Sequence, residues 1–263
     1  MTVDTATEKT EQAGDRARTL ETVIIAAEKL ALQYFSQRSE LARFNKSPAD
    51  FVSEADRSVE SRIRDVIAGR YPNEPIVGEE LGGRAGSAYW LVDPIDGTSN
   101  FLSGIPLWAI SIAYVEDGHP TLGAVAIPML KRRLIGGRDV PLREFGQHSG
   151  TAGGASLVFG IGANAFWPTR YRELIEAELK PNGLMGVSLG SCATSLALTA
   201  SGEMAGYAEG NVGFWDIAAG VALCEAAKLK TSYVGDPGPN KSSVVVGPND
   251  IQNAISALTM QSD

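Results

Sequence analysis

A short apolar run, Trp90-Leu-Val92, leads directly into two carboxylates three residues apart, Asp93 and Asp96. No other stretch limits the fold of this chain as much. The run asks to be buried as a strand, yet a buried anion is costly unless it is paired, hydrogen-bonded or bound to a cation. Pro94 fixes one φ angle and Gly97 admits a turn that other residues resist, so both carboxylates can be aimed at one point. The partner this arrangement predicts is a hard divalent cation.

The rest of the composition narrows the choice of cation. The chain holds 31 acidic residues but only two histidines and two cysteines. His119 falls in Asp117-Gly-His-Pro120, which reads as a turn, so a zinc site built on histidine or cysteine is not expected. An oxygen-ligand site for Mg²⁺ or Mn²⁺ is the alternative. A net charge of −8 argues against broad nucleic-acid binding. It still leaves room for a small anionic substrate, because bound cations reverse the field within one cleft. Cys192 and Cys224 lie in apolar surroundings and suit a reducing compartment rather than a disulfide framework. Residues 1–15 carry no apolar signal region, and no apolar run approaches a membrane span. The expectation is a cytoplasmic protein with neither nucleic acid nor membrane as partner.

With 263 residues, 44% of them hydrophobic, the chain can build one large domain or two lobes. Residues 1–18 read as a flexible tail, and apolar spacing predicts a helix over 19–37. A loop at 45–49 precedes a second helix over 54–70, stopped at Tyr71-Pro72. A short apolar run, 75–80, ends on Glu79 and Glu80, and the glycine-rich 81–88 reads as a mobile loop. The strand from Tyr89 follows. Residues 109–115 and 121–127 form a hairpin, whereas 128–154 gives no clear element. Beyond it the pattern predicts strands at 156–162, 204–209 and 243–246. Helices are predicted at 171–179, 195–200 and 216–228, with a last one opening at Pro248. Hairpins without a regular βαβ rhythm favour α+β layers. The division predicted is a tail (1–18), an N-terminal lobe (19–150) with most metal ligands, and a C-terminal lobe (151–263) supplying Asp216 and substrate contacts. The boundary is expected within 144–155.

Acidic residues recur at the joins between apolar elements and loops: Asp50 and Asp56, Glu79 and Glu80, Asp93 and Asp96, and Asp216. Taken singly, Asp56 and Asp216 would be helix N-terminal acids favourable to the macrodipole. Glu79 and Glu80 would be a solvated loop end.

Together they carry a resemblance. Asp93-Pro-Ile-Asp-Gly-Thr-Ser-Asn-Phe101 resembles the first signature of the inositol monophosphatase family, and Phe214-Trp-Asp-Ile-Ala-Ala-Gly220 its second. Gly78-Glu-Glu80 and Ser47-Pro-Ala-Asp-Phe-Val-Ser-Glu-Ala-Asp56 match two further segments, in the family's order, and the likeness spans about 19–228. The resemblance implies a layered αβαβα sandwich of the inositol monophosphatase and fructose bisphosphatase type. It further implies a lithium-sensitive phosphatase dependent on two or three Mg²⁺ ions (Mn²⁺ substituting), assembled as a homodimer. On it, Glu79, Asp93 and the Ile95 carbonyl hold the first metal, and Asp93, Asp96 and Asp216 the second. Thr98 and Glu79 position the attacking water, which the metals activate, and Asp56 assists through Thr98. The phosphate lies near the amides of Gly97 and Thr98. Glu209 and the segment Gly190-Ser191-Cys192 contact substrate hydroxyls, with Asp96 and Asp216 also on the substrate side. The implied substrate is a small phosphorylated polyol, inositol monophosphate by default. Histidinol phosphate, fructose 1,6-bisphosphate and 3′-phosphoadenosine phosphates are the alternatives within the family. A weakly active member serving as a regulatory binding protein is the alternative outside enzymology. After Pro128 the chain departs from the family pattern, and no departure touches an implied metal ligand.

Overall fold

A computed structural model describes residues 5–41, 48–146, 156–236 and 241–259. Two long helices, α1 (Thr5–Leu41) and α2 (Pro48–Arg70), pack together on one face of a six-stranded sheet. Its strands lie side by side in chain order: β1 (Ile76–Gly78), β2 (Ala88–Asp96), β3 (Ala109–Glu116), β4 (His119–Ile127), β5 (Arg132–Gly137) and β6 (Val140–Gly146). Only β1 and β2 run parallel. A short helix, α3 (Thr98–Ser103), leaves the end of β2.

The later half of the chain supplies β7 (Val158–Ile161), α4 (Thr169–Leu179), β8 (Met185–Val187), α5 (Cys192–Ala200), β9 (Gly206–Val212), α6 (Phe214–Ala226), β10 (Thr231–Val234), β11 (Ser242–Val246) and α7 (Asn249–Thr259). Its five strands form a second sheet in the order β10-β11-β9-β7-β8.

Alternating side chains of the first sheet sort into two cores. Trp90, Val92, Ile110, Ile112 and Ala124 meet Leu20, Val23 and Ile24 of α1 and Val59 and Ile63 of α2. Tyr89, Leu91, Ala113 and Val125 face the other way, against Leu196 of α5 and Ile217 and Val221 of α6. That second core continues into Tyr207, Val244 and Val246 of the second sheet. The outer face of the second sheet is covered by α4 and α7 through Ile175, Leu179, Ile251 and Ile255. The layers are therefore helix, sheet, helix, sheet, helix, the α+β sandwich expected from the sequence.

The middle helix layer explains why periodicity reads poorly there. Nine of the thirteen residues of α6 are buried, since it has a sheet on either side. It also lies very close to β4. A Cβ at Gly123 would meet the Ala219 carbonyl oxygen at 2.4 Å, so only glycine fits. Because both faces of the first sheet are covered, its strands read as continuous apolar runs rather than alternating ones.

Several sequence expectations need correction. Residues 5–18, expected to be tail, belong to α1. Ala17 is buried, and Arg16 pairs with Glu74 at 2.6 Å while its guanidinium lies over the Tyr114 ring. These anchors are long-range and leave no apolar periodicity to read. Helix α2 opens at Pro48 rather than 54, so Pro48 and Ala49 are helical instead of looped, while 42–47 fall outside the described residues. The unreadable 128–146 stretch is a 3-10 turn followed by β5 and β6, and 147–155 fall outside the described residues. The sequence reading also missed α3, β8 and β10, all short. Among the described residues no helix is long and apolar enough to cross a membrane.

Candidate active site

The carboxylates converge where β2 loses register with β3. Asp93 pairs with Ser111 and Asp96 with Ala109, so Pro94 and Ile95 stand opposite the single residue Ile110, and β2 bulges by one extra residue between the two carboxylates. Within the bulge the Ile95 amide donates to Asp93 Oδ1 at 3.0 Å, and the Thr98 hydroxyl donates to the Ile95 carbonyl at 3.2 Å. Gly97, at φ 89°, turns the chain into α3. A Cβ there would sit 3.0 Å from the Gly190 carbonyl oxygen, so glycine also permits the close approach of the loop before α5. Asn100 fixes that approach by donating to the carbonyls of Leu107 and Leu189.

Glu79 reaches the site through the parallel β1–β2 ladder. Gly78 pairs with Val92, and the Glu79 amide donates to the Val92 carbonyl at 3.1 Å, which sets Glu79 beside Asp93. Asp216 arrives on the first turn of α6, its carboxylate accepting from the Gly213 amide at 2.8 Å. The turn is held by Ser111, the ladder partner of Asp93, whose hydroxyl donates to the Trp215 carbonyl at 3.0 Å. Ligand atoms of Glu79, Asp93 and Asp216 consequently lie within 4.8 Å of one another.

Asp96 lines the same cleft but stands outside that triplet. Its Oδ2 accepts from the Ser191 hydroxyl at 2.5 Å and the Ala193 amide at 2.7 Å, and its Oδ1 from the Cys192 amide at 3.3 Å. Those amides open α5, so Asp96 complements a helix N-terminus. Asp56 is buried on α2 and lies apart from the residues lining the cleft. No hydrogen bond joins it to Thr98, and its Oδ2 has no partner at all.

The cleft holds about 180 Å³ and is lined also by Ile161, Gly162, Asn164, Leu189, Gly190, Ser191, Cys192, Tyr207 and Glu209. On the far wall Asn164 donates to Glu209 Oε1 and to the Gly210 carbonyl, both at 2.9 Å, and the Tyr207 hydroxyl donates to Glu209 Oε2. Asn164 is itself fixed by the amides of Phe166 and Trp167, each donating to its Oδ1 at 2.9 Å. The sequence reading singled out Glu209 but missed Asn164, Tyr207 and Ser111. Asn164 sits two residues beyond Gly162 at a strand end, a turn signal that was available. Nothing in the sequence marks Tyr207 or Ser111.

Charge crowding is the dominant electrostatic fact. Among the described residues lining the cleft there are five carboxylates and no lysine, arginine or histidine. Burial first, then repulsion from Glu79, Asp96 and Asp216, pushes Asp93 well above the ordinary carboxylate range. Burial and the neighbouring Asp96 and Glu79 do the same to Asp216. Burial raises Glu79 to about 7 and Asp96 to about 6, in the latter case against the lowering effect of Ser191. Burial beside Glu80 and Glu79 raises Asp56 to about 8. Acids this crowded, without cationic side chains, form an all-oxygen donor set suited to a hard divalent cation.

Covalent chemistry has little support. The Ser191 hydroxyl donates to Asp96, and burial pushes the Cys192 thiol well up, which keeps it protonated. His119 is exposed and hydrogen-bonded to Tyr233, and His148 falls outside the described residues.

Residues 15–255 match the model of the inositol monophosphatase family. A fructose-1,6-bisphosphatase/inositol-1-monophosphatase of Aquifex aeolicus is 32% identical over 80% of this chain and 82% of its own length. A histidinol-phosphatase of Mycobacterium tuberculosis is 33% identical over 74% of this chain and 78% of its own. The solved structure of Mycobacterium tuberculosis SuhB superposes with a TM-score of 0.71 at 26% identity, covering 92% of this chain and 95% of that one.

Proposed function

The chain belongs to the inositol monophosphatase family, a family of phosphatases, and on that premise we propose that it is a Mg²⁺-dependent phosphomonoesterase acting on a small polyol phosphate. Inositol monophosphate is the default substrate. The observation that carries this reading is the triplet of Glu79, Asp93 and Asp216, gathered within 4.8 Å in a cleft with no cationic side chain among its described residues.

Glu79, Asp93, Asp216 and the Ile95 carbonyl are the groups to hold the cations, with Mn²⁺ able to replace Mg²⁺. Asp96 is held on α5 through Oδ2, so Oδ1, whose one contact is long, is the oxygen with capacity left for a second ion. When bound, the cations supply positive charge for the phosphoryl oxygens and acidify water, the two services that ester hydrolysis needs. The chain's own groups then orient the reactants. Thr98 Oγ1 donates to Ile95 and keeps lone pairs with which it and the Glu79 carboxylate would orient the attacking water. The Gly97 and Thr98 amides receive the phosphate. Asp56 has no hydrogen bond to Thr98 through which to assist, and its place beside Glu79 and Glu80 assigns it to their electrostatics instead.

Substrate hydroxyls meet Glu209, whose oxygens are held in place by Asn164 and Tyr207 of the far wall. The Gly190-Ser191-Cys192 segment closes the floor. A second reading, histidinol phosphate, draws on the same acidic wall, since an ammonium group suits Glu209 as well as a hydroxyl does. Bisphosphates are disfavoured, because no described lining residue offers a cation to a second phosphate. A homodimer working in the cytoplasm, inhibited by lithium, completes the proposal.

Phosphate release from a panel of inositol, histidinol, sugar and nucleotide phosphates, with and without Mg²⁺, tests it. Mg²⁺-dependent turnover greatest on a polyol monophosphate is expected. Absence of metal-dependent turnover on every member would sink the enzyme reading in favour of a regulatory binding protein.

A further inference from the structure

Glu79 is the one proposed ligand carried on a turn instead of a regular element, in the segment 76–82 that takes in β1 and the turn after it. The turn has its own short ladder, with the Gly78 amide donating to the Gly82 carbonyl at 2.9 Å. That single bond leaves the amides of Glu80 and Leu81 without partners inside the turn.

Both are taken by Glu60, one helical turn beyond Asp56 on α2. Its carboxylate accepts from the Glu80 amide at 2.9 Å and the Leu81 amide at 3.3 Å. Arg64, one turn further along, donates from Nε to Glu60 at 2.7 Å. Its other nitrogens cross the segment, Nη1 donating to the Ile76 carbonyl at 3.2 Å and Nη2 to the Gly82 carbonyl. The pair thus grips the entry, the apex and the exit of the turn. Gly78 lies against it so tightly that a Cβ would meet Glu60 Oε1 at 2.1 Å.

Glu60 is fully buried. A buried ion pair is a poor source of stability, since desolvation offsets much of the attraction, and an apolar pair would fasten α2 to β1 at least as well. What an apolar pair lacks is acceptors for two amides and a planar fork for two carbonyls. We propose that Glu60 and Arg64 are positioning residues for the metal site, a clamp that fixes the 76–82 turn so that Glu79 meets Asp93 and Asp216. The proposal rests on the metal-dependent reading above and adds residues that touch neither cation nor substrate.

The test uses Mn²⁺ as probe on the full chain, with calorimetric binding, the Mg²⁺ concentration for half-maximal turnover, and amide hydrogen exchange. Glu60→Gln is expected to exchange the Glu80 and Leu81 amides faster and to weaken Mn²⁺ binding about tenfold, the low end for groups standing behind a ligand. Arg64→Lys keeps the charge balance but loses the fork, and is expected to weaken binding by a smaller factor. A merely structural pair would lower Tm and the folded fraction while leaving metal affinity per folded molecule unchanged. Wild-type affinity in folded Glu60→Gln overturns the clamp. Should that variant fail to fold, wild-type affinity in Arg64→Lys overturns it equally. If the wild-type protein takes up no Mn²⁺, the metal reading itself fails, an outcome separate from equal affinities in wild type and variant.

Discussion

The two walls of the cleft hold buried carboxylates under opposite terms. On the far wall, Glu209 has a protein donor on each oxygen, Asn164 on one and Tyr207 on the other. On the near wall, Asp93 has one amide for its Oδ1, and Glu79, Asp96, Asp216 and Asp56 all repel its charge. A carboxylate satisfied by the protein stays in place as a wall, whereas acids left to repel one another store a demand for positive charge. Asp96 falls between, lining the cleft with the near-wall acids yet bonded to α5. On the proposed reading, the far wall is where a substrate would be recognised, and the near wall where a cation would be held.

Replacing Asp93 breaks this comparison most severely. Asp93→Asn is expected to reduce Mg²⁺-dependent phosphate release to background. The same change is expected to raise the melting temperature of chelator-treated protein, because one repelling charge has gone. Turnover near wild type, or a lower melting temperature with the activity lost, would contradict the assignment of strain to this wall.

Glu209→Gln sharpens the contrast from the other side. The neutral amide keeps the shape but surrenders an acceptor, so a hydrogen bond to a charged group worth about 1.5 kcal/mol is lost and KM rises about tenfold. Its kcat at saturating substrate is expected to stay within a few-fold of wild type. A collapse of kcat at constant KM would move Glu209 into the chemistry.

The gentlest test is pH. Folding raises Glu79 from its ordinary 4.5 to about 7, Asp96 from 3.8 to about 6 and Asp56 from 3.8 to about 8. Acids raised by folding bind more protons in the native state than in the unfolded one, so their deprotonation opposes folding. Chelator-treated protein should accordingly lose stability as the solution rises from about pH 4 to about pH 8, with Tm falling by several degrees. Mg²⁺ should flatten that decline. A Tm that climbs over the same range without metal would show these acids to be stabilised by folding.

Much of the near wall was legible in the chain because its signals are local. Asp93, Pro94, Asp96 and Gly97 lie close together in the chain, and their spacing pointed to two carboxylates aimed into one site, though not to the bulge that separates them. Glu79 and Asp216 were legible only through the family resemblance, since taken singly they read as a solvated loop end and a helix N-terminal acid. Short elements were not legible. β8 and β10 are edge strands of three and four residues, too brief for periodicity, and their partners lie far along the chain. The first turns of α1 are polar, and their anchor, Arg16 on Glu74, spans 58 residues.

What the sequence alone determined, then, is the acidic strand end and the helices and strands with strong apolar runs, together with the expectation of a hard cation there. Those follow from backbone geometry and from the cost of burying charge, which act over a few residues. Only the tertiary structure decided that Glu79, Asp93 and Asp216 share one point while Asp96 turns onto α5. The same holds for Glu209, whose oxygens are engaged before any substrate arrives, and for Glu60 and Arg64, which grip the turn beneath Glu79. Those outcomes depend on which donors the packing of sheets and helices brings within 3 Å of a carboxylate, and no spacing along the chain encodes that.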